Sequence, residues 1–498
     1  TSGWHDIEGI RVFKQDGPVY IKKVNAFTIN EVKFVENYGD RYSGALYVEE
    51  TGGVCSITNC QFTDNDSNSG AGGLYLEYSG VNGGYTNIDS CQFTNNEASS
   101  YGGAIYAYSE ANDTISNCQF TGNSSEEGGA LYIAYQTSGT ATTITGCTFE
   151  NNNADDGGAV YIYAPEGNYI FEDCQFNGNS GIDYAGAVYM VYSGYNYDNY
   201  TSFRRCSFTE NGAEYGGAIY SEESYGNDMI DSCQFNSNNG TYYGGAIYLL
   251  YSGYNEDNYT SITNSSFNSN NSDYGGAIYS EESYGNDIIS NCQFINNSST
   301  DDAGAIYLLN TSENDINFTT VMDCQFTGNT SEDEGGAIRA RRGEGTQIIR
   351  SSFLDNEAIY GGAITIYDDG ALISDCLFAK NKATSDDIDY GAGGAIFSDA
   401  ADLSIINSTF AENIATLRPG GGVTCDDELT LSNCIFWGNV QQGDGTLGQQ
   451  QVYNNGGTVN IAYSLLQDGF PTDATDDGNN LYLDPLFTDA ASNDYTLT

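Results

Sequence analysis

Apolar and polar residues alternate along most of this chain in short runs, and the runs repeat. Phenylalanine stands at positions 34, 62, 93, 120, 149, 176, 208, 235, 267, 294, 326, 353, 378, 410 and 436, each followed three residues later by asparagine, from Asn37 to Asn439. Two residues ahead of the phenylalanine is cysteine in eleven units (Cys60, Cys91, Cys118, Cys233 and Cys434 among them) or serine at 265, 351 and 408. Three residues before that stands an apolar residue such as Ile88, Ile115, Ile230 or Ile289. Residues i and i+2 of a strand share a face, and Cys and Phe both favour burial, so this half of the unit predicts strand with Cys and Phe turned inward.

A second signature, G-G-A-I/V/L-Y, follows in each unit. Gly103, Ile105 and Ala107 fall on one face of the strand it predicts; Ala104, Tyr106 and Tyr108 fall on the other. The isoleucine place stays apolar, whereas the tyrosine place later becomes Arg339, Thr365 and Phe397. Isoleucine therefore faces in and tyrosine faces out. The inward glycine lets the backbone approach or bend. Acidic and Asn-rich segments of variable length, such as 151–156 or 386–389, separate the signatures and read as loops on one side of a stack.

The repetition extends to whole sentences of sequence. Tyr215–Asp228 (YGGAIYSEESYGND) returns unchanged at Tyr274–Asp287, and Tyr192–Ser202 returns at Tyr251–Ser261 with Tyr197 replaced by Glu256. A unit of about 25–32 residues is near the length of a leucine-rich repeat, but the rest of each unit is Gly, Asn, Tyr and Ser, a poor helix. Strands and turns closing once per unit satisfy every feature. The prediction is an all-β, single-stranded parallel β-helix of about 15–16 coils. In such a stack the asparagines form a column, because asparagine tolerates the left-handed turn conformation and stacked amides hydrogen-bond along the axis. The expected organisation is an N-terminal cap over 1–30, the repeat array over 31–466 and a closing segment over 467–498.

G-G-A-I together with F-x-x-N resembles the repeats of chlamydial polymorphic outer-membrane proteins and related bacterial right-handed β-helix surface proteins, from Phe34 to Asn439. Residues 480–498 resemble the segment that closes β-helix domains of secreted bacterial proteins. The resemblance implies a right-handed course for the parallel β-helix, an extracellular or cell-surface location, a passenger-type role, and continuation into a surface anchor or sorting domain.

Charge narrows the partners. Asp and Glu number 68 against 15 Lys and Arg, a formal net charge of -53, which excludes nucleic acid and anionic membrane surfaces as targets. No apolar run is long enough to span a membrane. No signal peptide is visible, so Thr1 reads as a mature N-terminus or an internal boundary. Basic residues concentrate early: Arg11, Lys14, Lys22, Lys23, Lys33 and Arg41 lie within the first 45 residues, while 440–498 hold eight Asp and no Lys or Arg. That asymmetry, with the open backbone edge of a terminal coil, gives head-to-tail self-association as an expectation.

Candidate chemistry is sparse. The outward tyrosines Tyr106, Tyr132, Tyr161, Tyr189, Tyr220, Tyr248, Tyr279 and Tyr307 form a stripe that could hold a glycan or a second chain. Asp64, Asp66 and Asn68, with Gly70, space oxygen ligands as in a calcium loop, so Ca²⁺ is the one cofactor the sequence suggests. Of the many N-x-S/T sequons, Asn112, Asn199, Asn258 and Asn310 follow the tyrosine strand and are the glycosylation candidates. The thirteen cysteines lack metal spacing, and eleven fall in one inward column, where free thiols are expected. Arg339, Arg341, Arg342 and Arg350, near Glu332, Asp333 and Glu334, read as a surface ion-pair patch. No catalytic residue is assigned and an enzyme is not expected. The sequence reads as a non-catalytic extracellular structural scaffold, adhesin-like or the subunit of a fibre; the alternatives are a glycan-binding module on the tyrosine stripe and a polysaccharide lyase or hydrolase.

Overall fold

The computed structural model describes all residues except 1–4, 9–10, 14–17, 81–82, 110–111, 135–138, 164–166, 194–198, 254–257, 312–317, 387–391, 443–449, 468, 472 and 498. The fold is a right-handed parallel β-solenoid of about 15 turns with about 28 residues per turn. Among the described residues the only helical piece is a 3-10 turn at Ala490–Ser492.

One coil shows how the sequence makes a turn of the solenoid. Ala141–Thr145 carries the inward Ile144, and Thr148–Glu150 carries Phe149. Asn153–Asp156 forms the third side and Val160–Tyr163 the fourth, after which Asn168–Glu172 opens the next coil. Within each of the two compact units of the chain the coil strands pair in parallel with their counterparts one repeat on, identical places opposite each other: Phe149 with Phe176, Tyr161 with Tyr189. The phenylalanine rings stack at 4.5 to 4.9 Å, for example Phe149 on Phe176 at 4.8 Å with 3° between planes.

The asparagine column is as expected in its bonding and different in its backbone. Asn123 donates from its backbone N–H and its Nδ2 to Asn152 Oδ1 at 3.0 and 2.9 Å, and Nδ2 also donates to Phe93 O at 3.0 Å. The left-handed residue, however, is the one before it. Glu36, Asp64, Asn95, Gly122, Asn151 and Gly178 have φ between 51° and 66°, while the column asparagines that follow them do not take positive φ. Column asparagine is needed for its two-sided amide, and the turn itself accepts Glu, Asp, Asn or Gly.

The chain divides into two units, Thr1–Ser261 and Ile262–Thr498. In the first, the segment expected to cap the array is built from the array's own ladders. His5–Glu8 pairs with Phe27–Asn30, Arg11–Phe13 with Lys33–Val35, and Val19–Lys22 with Leu46–Glu49. Trp4 and Lys14 lie outside the described residues. In the second unit the ladder continues to Thr475–Gly478, which pairs with Thr458–Ala462. An antiparallel hairpin, Phe487–Asp489 with Asp494–Leu497, then folds back along the side of earlier coils. Its Tyr495 is buried against Ala379 and Ala411, donates to Glu412 Oε2 at 3.2 Å, and Lys380 Nζ donates to Asn493 Oδ1 at 2.6 Å.

Candidate functional site

The second glycine of G-G-A-I-Y fixes where the tyrosine column sits. A Cβ on Gly129 would lie 2.1 Å from Gly158 O, and one on Gly158 2.2 Å from Gly186 O, so only glycine lets successive coils close at this corner. The preceding Gly128 has φ +66° and turns the chain. The strand that follows then presents isoleucine to the core and tyrosine outward.

The tyrosines are outward but not exposed, which corrects the picture of an open stripe. Tyr132, Tyr161, Tyr189, Tyr220, Tyr248, Tyr279 and Tyr307 are each 7% exposed or less; only Tyr106 of the eight is half-buried. They stack on one another, Tyr189 on Tyr220 at 5.0 Å and Tyr220 on Tyr248 at 4.7 Å. A second row of tyrosines, five residues upstream, covers them. Tyr184 lies 5.4 Å from Tyr189 and 5.2 Å from Tyr220, and Tyr274 lies 6.1 Å from Tyr307. Carboxylates at the strand end hold the phenols: Tyr189 donates to Glu222, and Tyr47 to Glu77. The column is a second apolar layer outside the coil, and its burial excludes a continuous flat contact surface.

In the first unit the column is open near its start. A hollow of about 360 Å³ is lined by Arg41, Tyr42, Ser69, Gly70, Tyr75, Tyr101 and Tyr106. Tyr75 and Tyr106 stack at 4.4 Å with 12° between planes, and Tyr42 and Tyr101, 47% and 37% exposed, stand beside them. Four aromatic faces and a guanidinium-bearing side chain meet here.

In the second unit the column is interrupted. Arg339 pairs in register with Tyr307 on one side and Thr365 on the other, and Thr365 with Phe397. Arg339 does not belong to a surface patch, as its neighbours in sequence suggested. It is 6% exposed, bound to Asp302 and to Glu334 Oε2 at 2.7 Å, with its guanidinium over the Tyr307 and Tyr367 rings. Burial pushes Asp302 up to about 7 despite this pairing. Arg350, in contrast, forms an exposed pair with Asp323 at 2.7 Å. Next to Arg339 lies a hollow of about 290 Å³ lined by Glu334, Tyr360, Tyr367, Phe397, Asp399 and Asp426. The sequence signal for it was the loss of tyrosine at 339, 365 and 397; the carboxylates come from the ends of neighbouring strands and carried no signal of their own.

The remaining candidates are scattered. Asp64, Asp66 and Asn68 are exposed, but Asp66–Ser67 is a strand rather than a loop, and Asn68 Nδ2 donates to Tyr38 Oη at 2.5 Å. Asp301, Asp302 and Asp333 do bring carboxylates within 4.8 Å of one another, with Asp302 held by Arg339. Among the sequons Asn112 is exposed and Asn310 half-buried, and Asn199 and Asn258 are each 5% exposed. All thirteen cysteines are buried free thiols. Cys174 Sγ donates to Ile144 O at 3.4 Å, and burial pushes Cys376, Cys425 and Cys434 up to about 12, so these stay protonated. Of the early lysines, Lys22 and Lys23 pair with Glu49 and Glu50 of the next coil.

A model described as the right handed beta helix region matches residues 18–197 and 305–456, well over half of the chain. The chain belongs to the right-handed β-helix family. The Chlamydia polymorphic membrane protein repeat matches residues 205–222, which hold Cys206, Phe208, Asn211 and the G-G-A-I-Y ending at Tyr220. The chain is thus a right-handed β-helix protein whose repeats are similar to those of the Chlamydia polymorphic membrane proteins. The β-helix fold occurs in enzymes as well as in non-enzymatic surface proteins. No curated protein matches the chain significantly.

Proposed function

We propose that this β-helix is a non-catalytic, extracellular adhesive scaffold that contacts its target through the open start of the tyrosine column. The observation that carries this reading is the cluster of Tyr42, Tyr75, Tyr101 and Tyr106 around Arg41, aromatic faces left accessible where later coils cover theirs. Ring faces of this kind pack on the apolar face of a sugar or on another chain, while their hydroxyls and a neighbouring cation supply polar contacts. The coils supply stiffness: interior Phe, Asn and Cys are all consumed in stacking.

A glycan is the target class the patch favours. Tyr42→Ser and Tyr101→Ser remove partly exposed rings that also pack on Tyr47 and Tyr132, so the double variant is expected to melt somewhat earlier and binding is read well below its melting temperature. In a glycan array and a cell-adhesion assay the unaltered chain is expected to bind, and the double variant to lose at least tenfold in affinity. Binding that survives both changes would remove the patch from the reading, and a chain that adheres to nothing would remove adhesion itself.

A further inference from the structure

The column places of the second unit show the chain supplying its own cation at one place and none at the next. At the first, the Arg339 guanidinium lies 5.2 Å from the Tyr307 centroid and 5.6 Å from that of Tyr367, donates to Tyr307 Oη at 3.0 Å, and pairs with Asp302 and Glu334. This layer of rings and carboxylates therefore accommodates a desolvated guanidinium. At the next place the residue is Thr365, fully buried, its Oγ1 turned back to donate to Tyr360 O at 3.0 Å. Beyond it stands Phe397, 5.6 Å from Tyr360 and 6.3 Å from Tyr367.

We propose that the hollow walled by Tyr360, Tyr367 and Phe397 and edged by Glu334, Asp399 and Asp426 binds an organic cation, a guanidinium or alkylammonium group. Among the described residues the lining is three rings and three carboxylates, with no basic side chain. Glu334 is shared: Oε2 holds Arg339 and Oε1 accepts from Tyr367 Oη at 2.6 Å, which fixes the ring that the two cation places have in common. Asp426 has a buried Oδ1 with no hydrogen-bond partner. Its carboxyl is pushed up to about 6, chiefly by burial, and that of Asp399 is also raised by burial and by Asp427. A cation would relieve all of these at once. Aromatic faces attract organic cations through the ring quadrupole, and a desolvated cage is where that attraction is strongest. A calcium ion needs six to eight oxygen ligands, and half of this lining is aromatic carbon.

The proposal is independent of the adhesive patch, which lies in the other unit. Calorimetry and saturation-transfer NMR on the full chain at pH 7.5 would use agmatine and tetramethylammonium as free cations, a Gly-Gly-Arg-Gly-Gly peptide as a protein side chain, and a citrulline amide as the uncharged shape control. Binding of the free cations but not of citrulline amide is expected. Binding of the peptide with similar affinity would assign the cation to a partner's side chain, and its failure beside bound agmatine would assign it to a small molecule. Asp399→Asn with Asp426→Asn should weaken binding at least tenfold. Thr365→Arg should abolish it by filling the hollow with the chain's own guanidinium, with the thermal unfolding profile showing that the variant folds. Tyr42→Ser with Tyr101→Ser should leave it unchanged. No binding of any organic cation, equal binding of citrulline amide, binding of Ca²⁺ in their place, or undiminished binding by folded Thr365→Arg would each overturn the proposal.

Discussion

Asn152 touches three coils with one side chain. Its Oδ1 accepts from the backbone and side-chain N–H groups of Asn123, and its Nδ2 donates to Asn179 Oδ1 and to Phe120 O, all between 2.9 and 3.0 Å. Asn152→Ala therefore leaves two donors and one carbonyl unpaired where water does not reach, at about 1–3 kcal/mol each. A loss of about 3 kcal/mol or more in denaturant unfolding is expected, with faster amide exchange in the coils on both sides. Gly129 makes the opposite demand, for the absence of a side chain. Gly129→Ala drives a methyl into Gly158 O and should cost about 2 kcal/mol or more. Gly139→Ala, with φ +81° but open space around it, should cost less; equal losses would show that stacking distance is not what selects glycine at 129. Both columns were legible in the sequence, the asparagine because it recurs three residues after Phe and the glycine because it recurs inside the G-G-A-I/V/L-Y signature, whatever the length of the segment between them. The left-handed position was not, because it has no single residue type: Glu36, Gly122 and Lys380 all occupy it.

At the scale of the strand, alternation says which way a side chain points and nothing about what lies over it. The tyrosine strands show the difference. Val160–Tyr163 is buried on both faces through Ile162 and Tyr161, since a further layer closes over the outward side. The covering row was present in the sequence as tyrosine five places before the column, at 42, 101, 184, 215, 243 and 274, but its role depends on the tight corner at G-G that swings it over the next coil. The pocket beside Arg339 was illegible for a related reason: its lining comes from four different coil segments, and only their stacking brings them together. The closing hairpin is another element whose role is set by its docking site. Tyr495→Ala removes the ring packed on Ala379 and Ala411 and its bond to Glu412. Proteolysis is expected to release residues 487–498 from that variant while leaving the earlier coils protected; resistance equal to that of the unaltered chain would mean the hairpin is held elsewhere.

For the whole molecule, a parallel stack puts like above like, and with a net charge of -53 this brings carboxylates together as readily as phenyl rings. Glu127 and Asp156 are bridge partners on successive coils. Burial, reinforced by neighbouring acids, pushes Glu127 up to about 7 and Asp156 up to about 6; Asp302, Asp368 and Asp426 are raised to about 7, 6 and 6, again chiefly by burial. A carboxyl with a folded pKa above its unfolded value of about 4 holds its proton more tightly when folded. Its stabilising contribution is complete below that unfolded value and is lost as pH rises through 6 to 7. Carboxyls held low by hydrogen bonds, Asp89 to Ser116 and Asp323 to Arg350, act in the other direction, but their contribution is lost only in more acid solution. Between pH 5 and 8 the raised carboxyls therefore set the direction of the pH dependence. The melting temperature is accordingly expected to fall as pH goes from 5 to 8, and added salt should recover part of the loss at pH 8 by screening the exposed portion of the repulsion. Glu127→Gln should raise the melting temperature at pH 8 and have little effect at pH 5. A melting temperature that is flat or rising across this range would show that the stacked acids are stable as charged groups, and that the acidity of the chain costs its fold nothing.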